Sequence, residues 1–180
     1  MALETKDIQA KVEGQFGSEV SNFRMERDIL TFDASKEVIE QVIRFMKEDS
    51  TLRFNFLTDL CGMHYPDNDK SMQFAVVYLM HNWMDNVRVR IKTFLPADKV
   101  EVSTVTTVFK CANWMERETY DFFGVKFIGH PNLKRILNAD SLTSYPMRKE
   151  HPLEDAGRAD KDDRFFGRTT NNYEVNNNTK

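Results

Sequence analysis

The chain has 180 residues, a formal net charge of −3, 41% hydrophobic and 29% charged residues, and only 7 Gly and 5 Pro. That balance fits one globular domain with room for a tail, and excludes fibrous or wholly disordered chains. A mildly negative chain has no broad electrostatic attraction to nucleic acid.

The N-terminal stretch is charged from Glu4 onward and lacks an apolar core, so no secretory signal is expected. Ile8, Val12 and Phe16 then recur at helical spacing, with Gly17 as a stop, which predicts a short amphipathic helix. Two extended pieces are predicted over 20–25 and 29–32. Ser35 is read as the cap of a helix whose apolar stripe is Val38, Ile39, Val42, Phe45 and Met46.

Leu52, Phe54 and Phe56 alternate at the period of a strand, within a segment reaching Tyr65, and Pro66, Asp67, Asn68 and Asp69 form a turn. Residues 71–80 read as a central strand, because both of its faces are apolar. The apolar run from Phe74 to Met80 is too short for the roughly 20 residues of a membrane span, so any membrane contact is expected through a partner. Over 86–94, Val87, Val89 and Ile91 alternate with Arg88, Arg90 and Lys92, a half-exposed strand. Its basic face is read first as solvated and second as a docking face.

From Ser103 to Phe123 the period becomes helical, with Val105, Val108, Ala112, Met115 and Phe122 on one face. Ser103 is placed at the start of this helix and Gly124 at its end. Together these elements predict an α+β fold: a mixed or antiparallel sheet covered by helices, occupying 1–129. Beyond Gly129 periodicity fades and prolines recur. Residues 130–180 are therefore read as an extended, partner-binding arm with a flexible Asn-rich end. Cys61 and Cys111 stand far apart with no Cys-x-x-Cys unit, so this chain alone lacks the ligands of a zinc ribbon or an iron–sulfur cluster. Both are read as buried, reduced thiols of a cytosolic protein.

The densest group of unusual residues is WMERETYDFFGVKFIGHPNLKRIL, from Trp114 to Leu137. Glu116, Arg117, Glu118 and Asp121 lie among aromatics, so their charges are expected to be partly buried and paired. The four-residue spacing pairs Arg117 with Asp121 and Glu116 with Tyr120. The structural reading is that these residues pin the helix end to the following loop. The sharper one is a free-standing acid–base enzyme using Glu116, Glu118 and His130. His130, just before Pro131, is read as a turn histidine bonded to backbone groups. A metal role would need ligands brought in by the fold, because His64, His81 and His151 are distant.

This segment resembles the signature of the 30-kDa (C-type) subunit family of respiratory complex I, the NADH:quinone oxidoreductase. The resemblance rests on Glu116-Arg117-Glu118, Asp121 followed by Phe122 and Phe123, Gly124, His130-Pro131, and Lys134-Arg135 before Ile136 and Leu137. Upstream, LTDLCGMHYP, FAVVYL, VRVRI and VSTVTTVFKCANW are similar in order and kind. Downstream, YPMRKEHPL carries Pro146, Arg148, Lys149, Pro152 and Leu153. There Met147 stands where the family usually has Leu, and His151 where it has an aromatic. The resemblance spans about residues 50 to 153.

It implies a structural and assembly component with no catalytic centre of its own, in the quinone module of the peripheral arm. The D-type component of the complex is the direct partner, with the B-type and I-type components nearby. FMN and iron–sulfur clusters would belong to partner subunits, and quinone to the complex as a whole, with none bound by this chain. The implied location is the cytoplasmic face of the cell membrane, and the implied activity of the whole is NADH oxidation coupled to quinone reduction and proton translocation. The equivalent subunit of a related membrane-bound hydrogenase, or of another donor-specific quinone oxidoreductase, is the near alternative.

Overall fold

Register decides which side of the sheet is core. In the computed structural model, which describes residues 3–151, five strands form one mixed sheet: β1 (Val20–Glu26), β2 (Ile29–Ala34), β3 (Phe56–His64), β4 (Phe74–Asn82) and β5 (Val87–Leu95). They lie in the order β1-β2-β5-β4-β3, every pairing antiparallel except β2 with β5. Phe32, Ile91, Tyr78 and Leu60 are successive partners across four strands, and all are buried. One residue earlier on β2 the row is Thr31, Arg90, Leu79 and Asp59, which turns to the other face.

The apolar row is covered by α1 (Thr5–Phe16), α2 (Ile39–Glu48) and α3 (Ala112–Phe123). Ile8 and Val12 from α1, and Ile39, Val42, Ile43 and Met46 from α2, close over it. This is the expected α+β sheet with helices on one side. A separate parallel pair, β6 (Glu101–Ser103) with β7 (Lys126–Ile128), closes the loops around α3.

Several local expectations are corrected. Ser35 does not cap α2: its hydroxyl bonds the Glu37 carboxylate, and Val38 precedes the helix without a side-chain cap. Leu52 and Phe54 are buried but lie outside any strand. Asp49 accepts from the backbone N–H groups of Thr51 and Leu52, both at 2.9 Å, and Arg53 sits at φ +45°, so the chain loops before β3 begins at Phe56. Ser71 and Met72 belong to a short turn ahead of β4.

The third helix starts at Ala112, not at Ser103. Residues 102–108 read VSTVTTV, rich in β-branched and hydroxyl residues that disfavour helix. The first two of them extend instead as β6 against β7. The thiols of Cys61 and Cys111 are both exposed, contrary to the buried reading. The basic face of β5 is partly paired, with Glu26 meeting Arg90 at 3.1 Å and Lys92 at 3.4 Å.

Gly62 on β3 is where α3 seats on the sheet. A Cβ there would lie 2.6 Å from the Phe123 ring and 2.9 Å from the Thr119 methyl. Gly62→Ala is expected to cost about 1–3 kcal/mol by overpacking. Thermal melting should show a Tm drop of several degrees, and an unchanged Tm would mean that α3 lies farther from β3.

Candidate functional site

The carboxylates of α3 each hold a different piece of the chain. Gly124, at φ +77°, ends the helix and donates its N–H to the Tyr120 carbonyl at 2.9 Å, the expected C-terminal stop. Glu116 and Thr119, three apart, are buried against the sheet, and Asp121 is buried on another side, beneath the segment that follows β7.

Glu116 reaches the loop that delays the helix. The Thr104 hydroxyl donates to one carboxylate oxygen at 2.5 Å, and the Val105 N–H donates to the other at 2.7 Å. Burial pushes its pKa up to about 7, against the pull of those two donors. On the sheet, Tyr78 is fully buried, and its hydroxyl has no hydrogen-bond partner among the described residues. Burial first, and the nearby Glu116 charge second, hold its pKa well above the ordinary value. Tyr120, the partner expected from spacing, makes no bond to Glu116.

Asp121 sits in a cradle of donors. One oxygen accepts from the Arg135 guanidinium at 2.8 Å and the Asn138 amide at 3.1 Å. The other accepts from the backbone N–H groups of Ile136, Leu137 and Asn138, at 3.1, 2.8 and 2.9 Å. Burial alone would raise its pKa, but these donors outweigh it and hold the carboxyl well below the usual range.

Arg135 also donates to the carbonyls of Asp121, Leu142 and Ser144, and stacks on Tyr145 at 5.1 Å. The ion partner of Asp121 is therefore Arg135, not Arg117. Arg117 donates to the Lys134 and Arg135 carbonyls, each at 3.1 Å, and lies over Trp114. Lys134 itself is exposed and contributes only that carbonyl.

The segment 130–151 contains no helix or strand, yet it is strapped to its own domain. Arg148 lies between the rings of Phe74 and Tyr145 and donates from Nε to the Phe123 carbonyl at 2.8 Å. The Met147 N–H reaches the Phe122 carbonyl at 3.2 Å, and the Lys149 N–H reaches His64 Nδ1 at 2.9 Å. A Cβ at Gly124 would come within 2.6 Å of Tyr145 and 2.7 Å of Arg148, so glycine there serves both the turn and the strap. Pro146 is exposed; Pro152, Leu153 and the rest of the arm lie outside the described residues.

His130 behaves as a turn histidine. Its Nδ1 accepts from the Asn132 N–H at 3.0 Å, and Nε2 faces the Asn113 carbonyl at 3.2 Å, which assigns the proton to Nε2. Pro131 beside it is exposed. The acid–base trio is not assembled: Glu116 faces the core, Glu118 is exposed beside a groove containing Cys61 and Phe122, and no hydrogen bond joins either to His130. Among the described residues, no group of three or more His, Cys, Asp or Glu is placed to hold a metal ion. Thr104, Tyr78 and Asn138 escape sequence reasoning. Only Thr104 leaves a trace there, as part of the β-branched run preceding the helix.

Comparison with known proteins follows the same residues. The family described as "Respiratory-chain NADH dehydrogenase, 30 Kd subunit" matches residues 32–157. The second C-type subunit of the NADH-quinone oxidoreductase of Rhizobium meliloti is 40% identical over 141 residues, covering 78% of this chain and 75% of the relative. The C-type subunit of the NADH-quinone oxidoreductase of Geobacter metallireducens is 34% identical, covering 86% of this chain and 94% of the relative. Among solved structures, a trypsin-resistant fragment of Nqo5 aligns with a TM-score of 0.58 at 27% identity, covering 71% of this chain and 98% of the fragment. A chain of the membrane-bound sulfane sulfur reductase, an archaeal respiratory membrane complex, aligns with a TM-score of 0.68 at 26% identity, covering 82% and 85%.

Proposed function

The chain belongs to the respiratory-chain NADH dehydrogenase 30 Kd subunit family, and from that membership we propose that it is a non-catalytic scaffold and assembly subunit of an NADH:quinone oxidoreductase. The observation that carries this reading is the state of the signature side chains. Asp121, Arg135 and Glu116 spend their hydrogen-bonding capacity on their own chain, and none is presented to a substrate beside an activated nucleophile or base.

On this reading Asp121 and Arg135 set the path of residues 130–151 and so fix where the arm leaves the domain. The arm then docks on the D-type component, with the B-type and I-type components nearby. The chain itself binds no cofactor: flavin and iron–sulfur clusters belong to other subunits, and quinone is used by the complex, which couples electron transfer to proton translocation. No helix among the described residues is long and apolar enough to cross a membrane. The chain thus reaches the cytoplasmic face of the membrane through its partners.

The test is to solubilise membranes in mild detergent, separate complexes by size, and locate the chain against NADH:quinone reductase activity. Co-migration in a very large assembly, with no reductase activity in the purified chain, is expected. Migration at its own 21.1 kDa while the activity runs elsewhere would overturn the reading. The likeness to the sulfane sulfur reductase complex favours one second reading, the equivalent subunit of a related respiratory complex. In that case the chain co-migrates with a respiratory electron-transfer activity other than NADH:quinone reductase.

A further inference from the structure

The β4–β5 turn presents two large apolar side chains to solvent, Trp83 at 62% exposure and Met84 at 75%. Phe56, 41% exposed at the start of β3, meets Trp83 edge-to-face with ring centroids 5.3 Å apart, and His81 lies tilted 6.0 Å from the same indole. Phe56, His81 and Arg88 are successive partners across β3, β4 and β5, so the knob crowns one end of the sheet face that the helices leave open.

Polar residues are usual in such turns, whereas Trp83 and Met84 put apolar surface at the tip of this one. Here buried Asn82 organises it. Its side-chain oxygen accepts from the N–H groups of Met84 and Asp85, at 2.9 and 3.1 Å. Its amide donates to the Leu52 carbonyl at 2.8 Å and to Asp85 at 2.9 Å. Asn86 takes the left-handed conformation at φ +52°, and its side-chain oxygen lies 3.1 Å from His81 Nε2. Backbone and indole are thus held before any partner arrives, which lowers the entropy lost on binding.

Charge selects the partner. Asp85 is neutralised by Arg53 at 3.2 Å, whereas exposed Arg88 has no ion pair among the described residues, which leaves the rim net positive. We infer that Trp83 and Met84 form a preorganised knob that docks into an apolar pocket rimmed by carboxylates on another subunit of the complex. This inference rests on the proposed membership of a multisubunit assembly.

Full-length variants are expressed in place of the natural chain, and their retention in the detergent-solubilised complex is compared. Met84→Glu, at a side chain three-quarters exposed, should keep the wild-type Tm yet lower retention about tenfold or more, as removal of an interface anchor does. Met84→Lys should lose less, because a carboxylate rim accepts it. A photo-crosslinking amino acid at position 84 should capture another subunit of the same complex. Full retention of Met84→Glu, an equal or greater loss with Met84→Lys, or crosslinking only to lipid or to a second copy of this chain overturns the inference. The wild-type chain in the same separation keeps the two claims apart: its absence from any large complex defeats the membership reading, whereas its presence beside a fully retained Met84→Glu defeats only the knob.

Discussion

Asp121→Asn is expected to cost about 3–5 kcal/mol at pH 7, the range for breaking a buried, hydrogen-bonded ion pair. The substitution preserves size but places an NH2 group among donors. Arg135 loses its counter-charge, and an amide nitrogen replaces one of the two oxygens that accept from Arg135, Asn138 and the three consecutive N–H groups. For a chain of this size the Tm should fall by about 10 °C or more.

The pH dependence of Asp121 follows from its depressed pKa. Its stabilising contribution is complete above the unfolded carboxyl pKa near 3.8 and disappears as pH falls through the lower folded value. The gap between wild type and Asp121→Asn should therefore be full at pH 5–7 and narrow below pH 4. Chemical denaturation at several pH values measures this. A variant within 1 kcal/mol of wild type at pH 7 would mean that the cradle is solvated. Arg117→Ala serves as the control: Arg117 donates only to two backbone carbonyls at the surface of the strap, so its loss should be much smaller.

That control also shows where sequence reasoning reaches and where it stops. The i,i+4 rule pairs Arg117 with Asp121 because it sees only one helix, whereas the actual partner, Arg135, comes from fourteen residues away through an irregular segment without periodicity. The α2 stripe and the alternation of β5 are legible, since each element repeats one environment over its whole length. The apolar period misplaces the start of α3 because Val105, Val108 and Ala112 are all buried and fit a helix, although the first two are buried from turns. The buried reading of Cys61 comes from thiol chemistry and not from strand pattern, and β3 leaves the side chain exposed. Pairing of β3 shifts register between Leu57 and Asp59, so Leu57 and Leu60 both face the core although three apart, and counting by twos through LTDLC fails. The knob on the β4–β5 turn is invisible in the sequence because exposure of Trp83 and Met84 is decided by hairpin geometry.

Glu116 gives the second large effect, with the opposite sign. Its folded pKa of about 7 lies above the ordinary value of 4.5, so between these pH values the folded chain binds more protons than the unfolded one. Stability should therefore fall as pH rises from about 4.5 through 7, by about 3 kcal/mol in all. Glu116→Gln removes the titration and keeps the packing. Its carbonyl accepts from the Val105 N–H, and its NH2 donates to Thr104, whose hydroxyl remains free to donate to Thr106 at 2.9 Å. The variant should match wild type near pH 5 and exceed it at pH 8, flattening the slope between. If Glu116→Gln is instead less stable than wild type at pH 8, the ionised carboxylate is worth more to the Thr104–Val105 loop than its burial costs, and Glu116 is a clamp that works charged. The signature then has two carboxylates of one kind; a flattened slope means that it has one ionised anchor for the strap and one neutral wedge for the loop.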